Sequence, residues 1–385
     1  MDRKKIIKVI KQVANSAEEK KYYGFDPYDI KAEPIFKKFN QVRYLSYIQD
    51  RFLQINPMLL RKVFNVTPSL NSKALALFVQ GYCNLFTYDG ESKWLEKAKE
   101  IILTLSKIKT ETESGIGWGY PFDWQSRVFF PAGTPSGVVT SFCLNSILNW
   151  MTLSKSNEFE ELTKSAAEFL YKDLNMSKNE NNICFSYTPQ DNFRVHNANV
   201  LVASALLNYC NYSKEEKYKD KINKAYSYTI AEQNEDGSWD YFGRDENLPG
   251  RIDNYHTGFV LKALLDYYEY TQQAHLKIVI EKGFNYYVSN LFFKDFLPKF
   301  NSKLHYPIDI HACADSISTL SRFKSFFDNS NISVDALVEW TIKTMYDQRG
   351  AFYYQNYNYF TSKVIYMRWN NAWMFYALTE HLKNQ

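Results

Sequence analysis

Histidine is the side chain best suited to proton transfer near neutrality, and of the six in this chain three recur at one phase: His196, His256 and His311 each open a long apolar segment. Asp253 and Tyr255 stand just before His256, and Asp309 just before His311. The expected catalytic set is therefore His196, His256, His311, Tyr255, Asp253 and Asp309. Cations share the phase. Arg127, Arg194, Arg251 and Arg368 lie shortly before such segments, and Lys73 opens the first one. Guanidinium forks match carboxylate and phosphate, which predicts an anionic substrate, either a uronate or a phosphate-bearing sugar. A cation for the carboxylate, a base for the adjacent proton and a donor on the other face make an epimerase-like or lyase-like site. The competing expectation is that these arginines pair with Asp123, Asp191, Asp253 and Asp309 and merely fasten loops. Tyr306 and Tyr366 are further candidate donors. Hydrolysis by facing carboxylates, drawn from Asp26, Asp123, Asp253 and Asp309, stays open because spacing does not give their separation.

Substrate binding is expected from those cations together with Trp118, Tyr120, Trp239, Asn197 and Trp369. Aromatics make up 17% of the chain, including 30 Tyr, and tyrosine suits walls that are packed on one side and wet on the other. Three histidines from adjacent repeats would suffice for an open zinc site. Nothing in their spacing fixes their mutual distance, so no cofactor is expected and zinc is left open.

The elements that must position these residues form a repeat. Apolar runs start at Ser72, Ser136, Asn197, His256, His311 and Asn370. Between them lie amphipathic stretches at 38–55, 94–108, 157–173, 214–232, 274–290 and 332–346, with Trp94, Ala98, Ile101, Ile102 and Leu105 on one stripe of the second. The first group is apolar nearly all round and must be enclosed. The second must face water on one side. The fold class that satisfies both is an all-α (α/α)6 toroid, with short aromatic hairpins such as Gly117-Trp118-Gly119-Tyr120 on one rim. Residues 1–37 read as an N-terminal helix and loop packed on the barrel, and 38–385 as the toroid domain.

Apolar residues at 45% and charged residues at 23% are ordinary globular usage. Lys plus Arg, 46, barely exceeds Asp plus Glu, 42, so no nucleic-acid partner is expected. Five scattered cysteines without a CxxC pair, no signal peptide and no membrane span point to the cytoplasm. No P-loop or G-x-G-x-x-G element is present.

Gln233 to Trp239, QNEDGSW, is similar to the Q-x-x-D-G-S-W element of terpenoid-cyclase and other α/α-toroid repeats. Asp253 to Leu261, DNYHTGFVL, resembles the helix start that carries a zinc-binding histidine in protein prenyltransferase β subunits. The whole arrangement, with VHNAN at 195–199 and IDNYHTG at 252–258, most closely resembles bacterial polysaccharide-biosynthesis proteins of the VpsJ type, within the six-hairpin toroid superfamily. That resemblance implies a toroid and a link to a capsule or other surface glycan. The prenyltransferase zinc thiolate has no counterpart around His196-Asn197-Ala198-Asn199. The acid of class II cyclases is reduced to Asp309-Ile310-His311. The function expected is thus carbohydrate-active, on a carbohydrate or glycolipid substrate. An isoprenoid-handling enzyme would show a deep aromatic cavity, and a noncatalytic glycan-binding or scaffold subunit would show consumed arginines and core histidines.

Overall fold

A helix that is apolar nearly all round needs protein on nearly every side. Six helices of the computed structural model meet that condition: α3 (Ser72–Asp89), α5 (Gly137–Ser154), α7 (His196–Ser213), α9 (Asn254–Thr271), α11 (Ile310–Phe323) and α13 (Trp373–Lys383). The structure describes residues 2–33, 44–45, 57–178, 181–246, 248, 250–324 and 333–385. Each of the six packs on the next, and α13 packs back on α3, which closes an inner ring. Around it lie α1 (Arg3–Glu19), α4 (Lys93–Lys107), α6 (Glu160–Lys172), α8 (Lys219–Ala231), α10 (Ala274–Asn290) and α12 (Val334–Met345), each buried along one stripe. The fold is an (α/α)6 toroid. The sixth outer place is held by α1, which packs on α13. The helix expected at 38–55 falls, apart from 44–45, outside the described residues. A short helix, α2 (Pro57–Val63), precedes the first repeat.

Local chemistry sets where the inner helices begin. Asn71, Ser136, Asp253 and Asp309 are N-caps whose side chains accept backbone N–H bonds in the first turns of α3, α5, α9 and α11. Left-handed residues Gly90, Lys155, Lys214 and Gln272 stop α3, α5, α7 and α9. The last repeat departs from this scheme: α13 is entered through a π-helical turn, Met367–Ala372, preceded by Tyr366. A π turn inserts one residue into the helical register.

The connections into the inner helices carry short antiparallel pairs. These are β1 (Thr110–Glu111) with β2 (Ile116–Gly117), β3 (Trp124–Gln125) with β4 (Phe129–Phe130), β5 (Met176–Lys178) with β6 (Ile183–Phe185), and β8 (Tyr346–Asp347) with β9 (Ala351–Phe352). A three-stranded sheet of β7 (Ile308–Asp309), β10 (Gln355–Asn356) and β11 (Thr361–Ser362), with β10 in the middle, ties the fifth and sixth repeats together. Among the described residues no helix is long and apolar enough to cross a membrane.

Candidate active site

In three of the inner helices the second residue after the N-cap joins the centre of the mouth. From Asn71, Asp253 and Asp309 this offset selects Lys73, Tyr255 and His311; with the extra residue of the π turn, Tyr366 leads to Trp369. These side chains meet. The His311 ring stacks on Tyr255 at 4.5 Å and lies 4.6 Å from Trp369 and 4.5 Å from Trp373. Lys73 is buried, its ammonium 4.2 Å from the centre of the Phe142 ring and 5.1 Å from that of Trp373. Around them the half-buried rings of Tyr28, Tyr120, Tyr187, Tyr241 and Tyr354 form a collar. Burial drives the hydroxyls of Tyr187, Tyr255 and Tyr354 well above the ordinary phenol value, so they remain protonated donors.

His256 occupies the edge of this collar. Its Nδ1 donates to Asp253 Oδ2 at 2.8 Å, and the Arg251 Nε lies 3.2 Å from the same oxygen. Burial opposes ionisation of Asp253, but the charge and hydrogen bonds of His256, together with Arg251, hold its carboxyl below the usual range. An ionised Asp253 fixes the tautomer: with the proton on Nδ1, Nε2 carries the lone pair of a base. The Tyr255 ring, which stacks on His311, also lies 4.3 Å from His256. His256, Tyr255 and His311 are therefore contiguous.

His311 differs from His256 in having no hydrogen bond to either ring nitrogen. Burial, then the charges of Lys73 and Arg368, hold it well below the ordinary imidazole value. The unfolded imidazole takes up a proton below about pH 6.5 and the folded one does not, so acidification favours the unfolded state by up to about 1.4 kcal/mol per pH unit. Replacing His311 by glutamine is expected to flatten urea-denaturation stability between about pH 7 and pH 5 by up to that slope.

His196 does not join them. It is buried, with Nε2 3.2 Å from Glu232 and Nδ1 3.5 Å from the Thr229 hydroxyl of α8, so it fastens inner to outer ring. This corrects the expectation of three converging histidines. Among the described residues no group of three His, Cys, Asp or Glu side chains is placed to hold a metal.

The arginines need a second correction. Arg127 pairs with Glu246 at 2.7 Å, Arg194 with Asp245 at 2.6 Å and Glu246 at 3.4 Å, and Arg368 with Asp26 through two bonds of 2.6 and 2.9 Å. Arg251 alone uses one of the carboxylates expected for the set, Asp253. Asp123 and Asp191 instead accept backbone N–H bonds within the rim. Asp309 accepts from Gln355 and from the Trp369 indole at 2.8 Å each, and burial pushes its carboxyl up to about 6 against those bonds. It supports the mouth as an acceptor.

Trp118 and Trp239 are structural. Their indole N–H groups donate to Leu105 at 2.9 Å and Thr229 at 2.8 Å, tying the rim to the last turns of α4 and α8. The Q-x-x-D-G-S-W element is thus a clamp between rim and outer helix. Tyr120 and Trp369 do belong to the mouth, each about 5 Å from the Arg368 guanidinium. Asn197 is buried with its side-chain oxygen unpartnered. Tyr28, Tyr187, Tyr241 and Tyr354 joined the collar without having been singled out, although the last three sit in the aromatic rim stretches of the sequence.

The clefts described at the mouth are narrow, ≈ 10 Å³ beside His256 and ≈ 10 Å³ between Tyr120 and Tyr187, about one water each. A much larger cavity, ≈ 1020 Å³, lies beyond the Phe142, Phe259 and Trp373 rings, in the opposite half of the lumen. The titratable groups arranged for proton transfer are at the mouth.

No family model and no curated protein matches the sequence. Solved structures match throughout the toroid. Cellobiose 2-epimerase from Bacillus thermoamylovorans B4167 is similar with a TM-score of 0.66 at 11% identity, over 81% of this chain and 88% of that one. A GH76 α-mannanase from Bacteroides thetaiotaomicron gives 0.64 at 10%, over 82% and 86%. A D-mannose isomerase gives 0.61 at 12%, over 82% and 87%.

Proposed function

We propose that the chain is a carbohydrate-active enzyme that moves a proton at a carbon beside a sugar carbonyl, in the manner of an epimerase or isomerase. The observation that carries this reading is the contiguity of His256, poised as a base by Asp253, with the neutral His311 across one shared tyrosine ring. An epimerisation or isomerisation needs a base on one side of a carbon and a proton donor on the other. His256 Nε2 supplies the first, and the protonated hydroxyl of Tyr255 or of a collar tyrosine the second. The oxygen that becomes anionic when the proton leaves is stabilised by the Arg368 guanidinium below the collar and by the protonated phenol hydroxyls of the collar. Similarity to a sugar epimerase and a sugar isomerase supports this reaction class.

The substrate follows from the charge balance. A uronate or phosphate would need a free cation, whereas Arg127, Arg194, Arg251 and Arg368 are each matched by a carboxylate and burial holds the Lys73 ammonium well below its ordinary value. A neutral sugar, its C–H face on the half-buried tyrosines and its hydroxyls on their phenol groups, suits the collar better than the anionic one expected from sequence. Resemblance to polysaccharide-biosynthesis proteins supports a setting in surface-glycan assembly, and five free, buried cysteines support a reducing compartment.

The experiment is incubation of the protein with mannose, glucose and cellobiose in D2O, followed by NMR. The expected result is loss of the C2 proton signal with appearance of the 2-epimer or the ketose. Unchanged spectra for a panel of neutral aldoses and disaccharides would remove the proposal and favour a second reading, a noncatalytic glycan-binding subunit. The observations on that side are the ion-paired arginines and the structural His196.

A further inference from the structure

The same register that builds the mouth continues down the lumen. Six, nine and thirteen residues after the N-cap, every inner helix again faces inward, one residue later in the last repeat because of its π turn. The first of these layers is a septum. Phe142 of α5, Phe259 of α9 and Trp373 of α13 close on one another across the lumen with centroid separations of 5.5 to 6.1 Å. Lys73 lies against this septum from the mouth, while the Lys262 ammonium is 5.4 Å from the Phe259 ring and lines the far side.

Below the septum the chemistry changes. The second layer is Gln80, Asn145, Ser204, Lys262, Ser318 and Tyr376. The third is Asn84, Asn149, Asn208, Asp266, Arg322 and Glu380. Every position in both layers is polar, on helices whose other faces are apolar. Most of these side chains line the ≈ 1020 Å³ cavity, which extends from the septum to Lys155 and Lys214 at the trailing helix ends. Larger apolar side chains would have closed this half of the lumen and added to the core. The sequence keeps it open and wet instead.

We infer that this basin is a second ligand site, separate from the proposed catalytic mouth, and that it takes a neutral, hydroxyl-rich molecule of mono- or disaccharide size. The charges of its two polar layers are already matched: Lys262 pairs with Asp315, Arg322 with Asp266 at 2.6 Å and Glu269 at 3.2 Å, and Glu380 with Lys383 at 3.1 Å. Within these layers an anionic ligand would find no free cation, Lys155 and Lys214 standing only at the trailing rim, and a hydrocarbon would strand two polar layers. The carboxamides suit hydroxyls, since each offers donors and an acceptor. Asn208 donates to Asn145 at 3.0 Å, and Gln80 and Asn149 have no side-chain hydrogen bond among the described residues. Phe142, Phe259 and Trp373 provide the apolar floor on which a sugar ring can stack.

The test is isothermal titration of the intact His256→Asn protein with cellobiose and with methyl α-mannoside, using sodium glucuronate as the charged counterpart. Saturable binding of a neutral sugar is expected. Asn149→Leu combined with Gln80→Leu should weaken it about tenfold or more, and a sugar-dependent change in tryptophan emission should vanish in Trp373→Phe. Ser204→Phe fills the basin from another helix and should weaken binding in the same way, should the double variant fail to fold. No saturation by either neutral sugar, tighter binding of glucuronate, or neutral-sugar binding untouched by the basin variants would overturn the inference. His256→Asn removes turnover but leaves binding at the mouth in place, so the basin variants, which leave the mouth intact, read the basin alone, and loss of the catalytic proposal leaves their outcome unchanged.

Discussion

Replacing His256 by asparagine should lower kcat for the sugar reaction by about 10²- to 10⁴-fold, the usual contribution of a general base, with little change in melting temperature. The side chain is only partly buried, at 22% exposure, and its backbone N–H still meets the Asp253 cap. Asp253→Asn is the companion variant. It preserves the cap but can no longer hold the proton on Nδ1, so activity should fall while α9 still begins at the same residue. The combined variant should be scarcely worse than the more damaging single one, because the two residues act as a unit. Retention of more than about a tenth of wild-type kcat by His256→Asn would show that the base lies elsewhere.

The largest stability effect is expected at Asp26. Arg368 is 3% exposed and Asp26 2% exposed, and their two hydrogen bonds join the loop after α1 to the π turn before α13. Asp26→Ala leaves the guanidinium buried without its carboxylate, which should cost about 3–5 kcal/mol. A double variant, Asp26→Leu with Arg368→Met, should recover much of that loss because no charge is stranded. Urea denaturation of the single and double variants checks both statements. A cost below about 1 kcal/mol for Asp26→Ala would mean that water or another carboxylate reaches Arg368.

The ring itself was legible because its signal is cumulative. Segments such as SGVVTSFCLNSILNWM have no polar stripe wide enough to face water, and six of them at similar spacing leave few arrangements other than enclosure by a second ring. The site was legible only in part, and helical rotation explains why. His196, His256 and His311 all sit at helix starts, but they stand one, three and two residues after their N-caps. At about 100° per residue those offsets aim them at the outer ring, back to the cap and into the lumen respectively. Phase at the level of the repeat could not separate them; position relative to the cap does.

Partner choice was hidden for a different reason. The carboxylates that take up Arg194 and Arg127 come from Asp245 and Glu246, in the connection one repeat after Arg194 and two after Arg127, and the one that takes up Arg368 comes from the opposite end of the chain. Local pairing with Asp123, Asp191 or Asp309 was the natural expectation, yet those side chains are held by nearby backbone N–H groups or, for Asp309, by Gln355 and Trp369 as well. The polar layers of the lumen were in plain view as Asn145 and Asn149, Ser204 and Asn208, Lys262 and Asp266. Each pair is spaced i, i+4 on one face of a helix whose mean apolarity concealed it.

The most direct measurement is a crystal structure of the His256→Asn protein soaked with a neutral aldose that the wild type turns over. The account predicts a sugar at the mouth, lying against Tyr255 with its C2 within hydrogen-bond reach of residue 256, whether or not a second molecule occupies the basin. A sugar found solely in the basin, with the tyrosine collar closed as before, would contradict it.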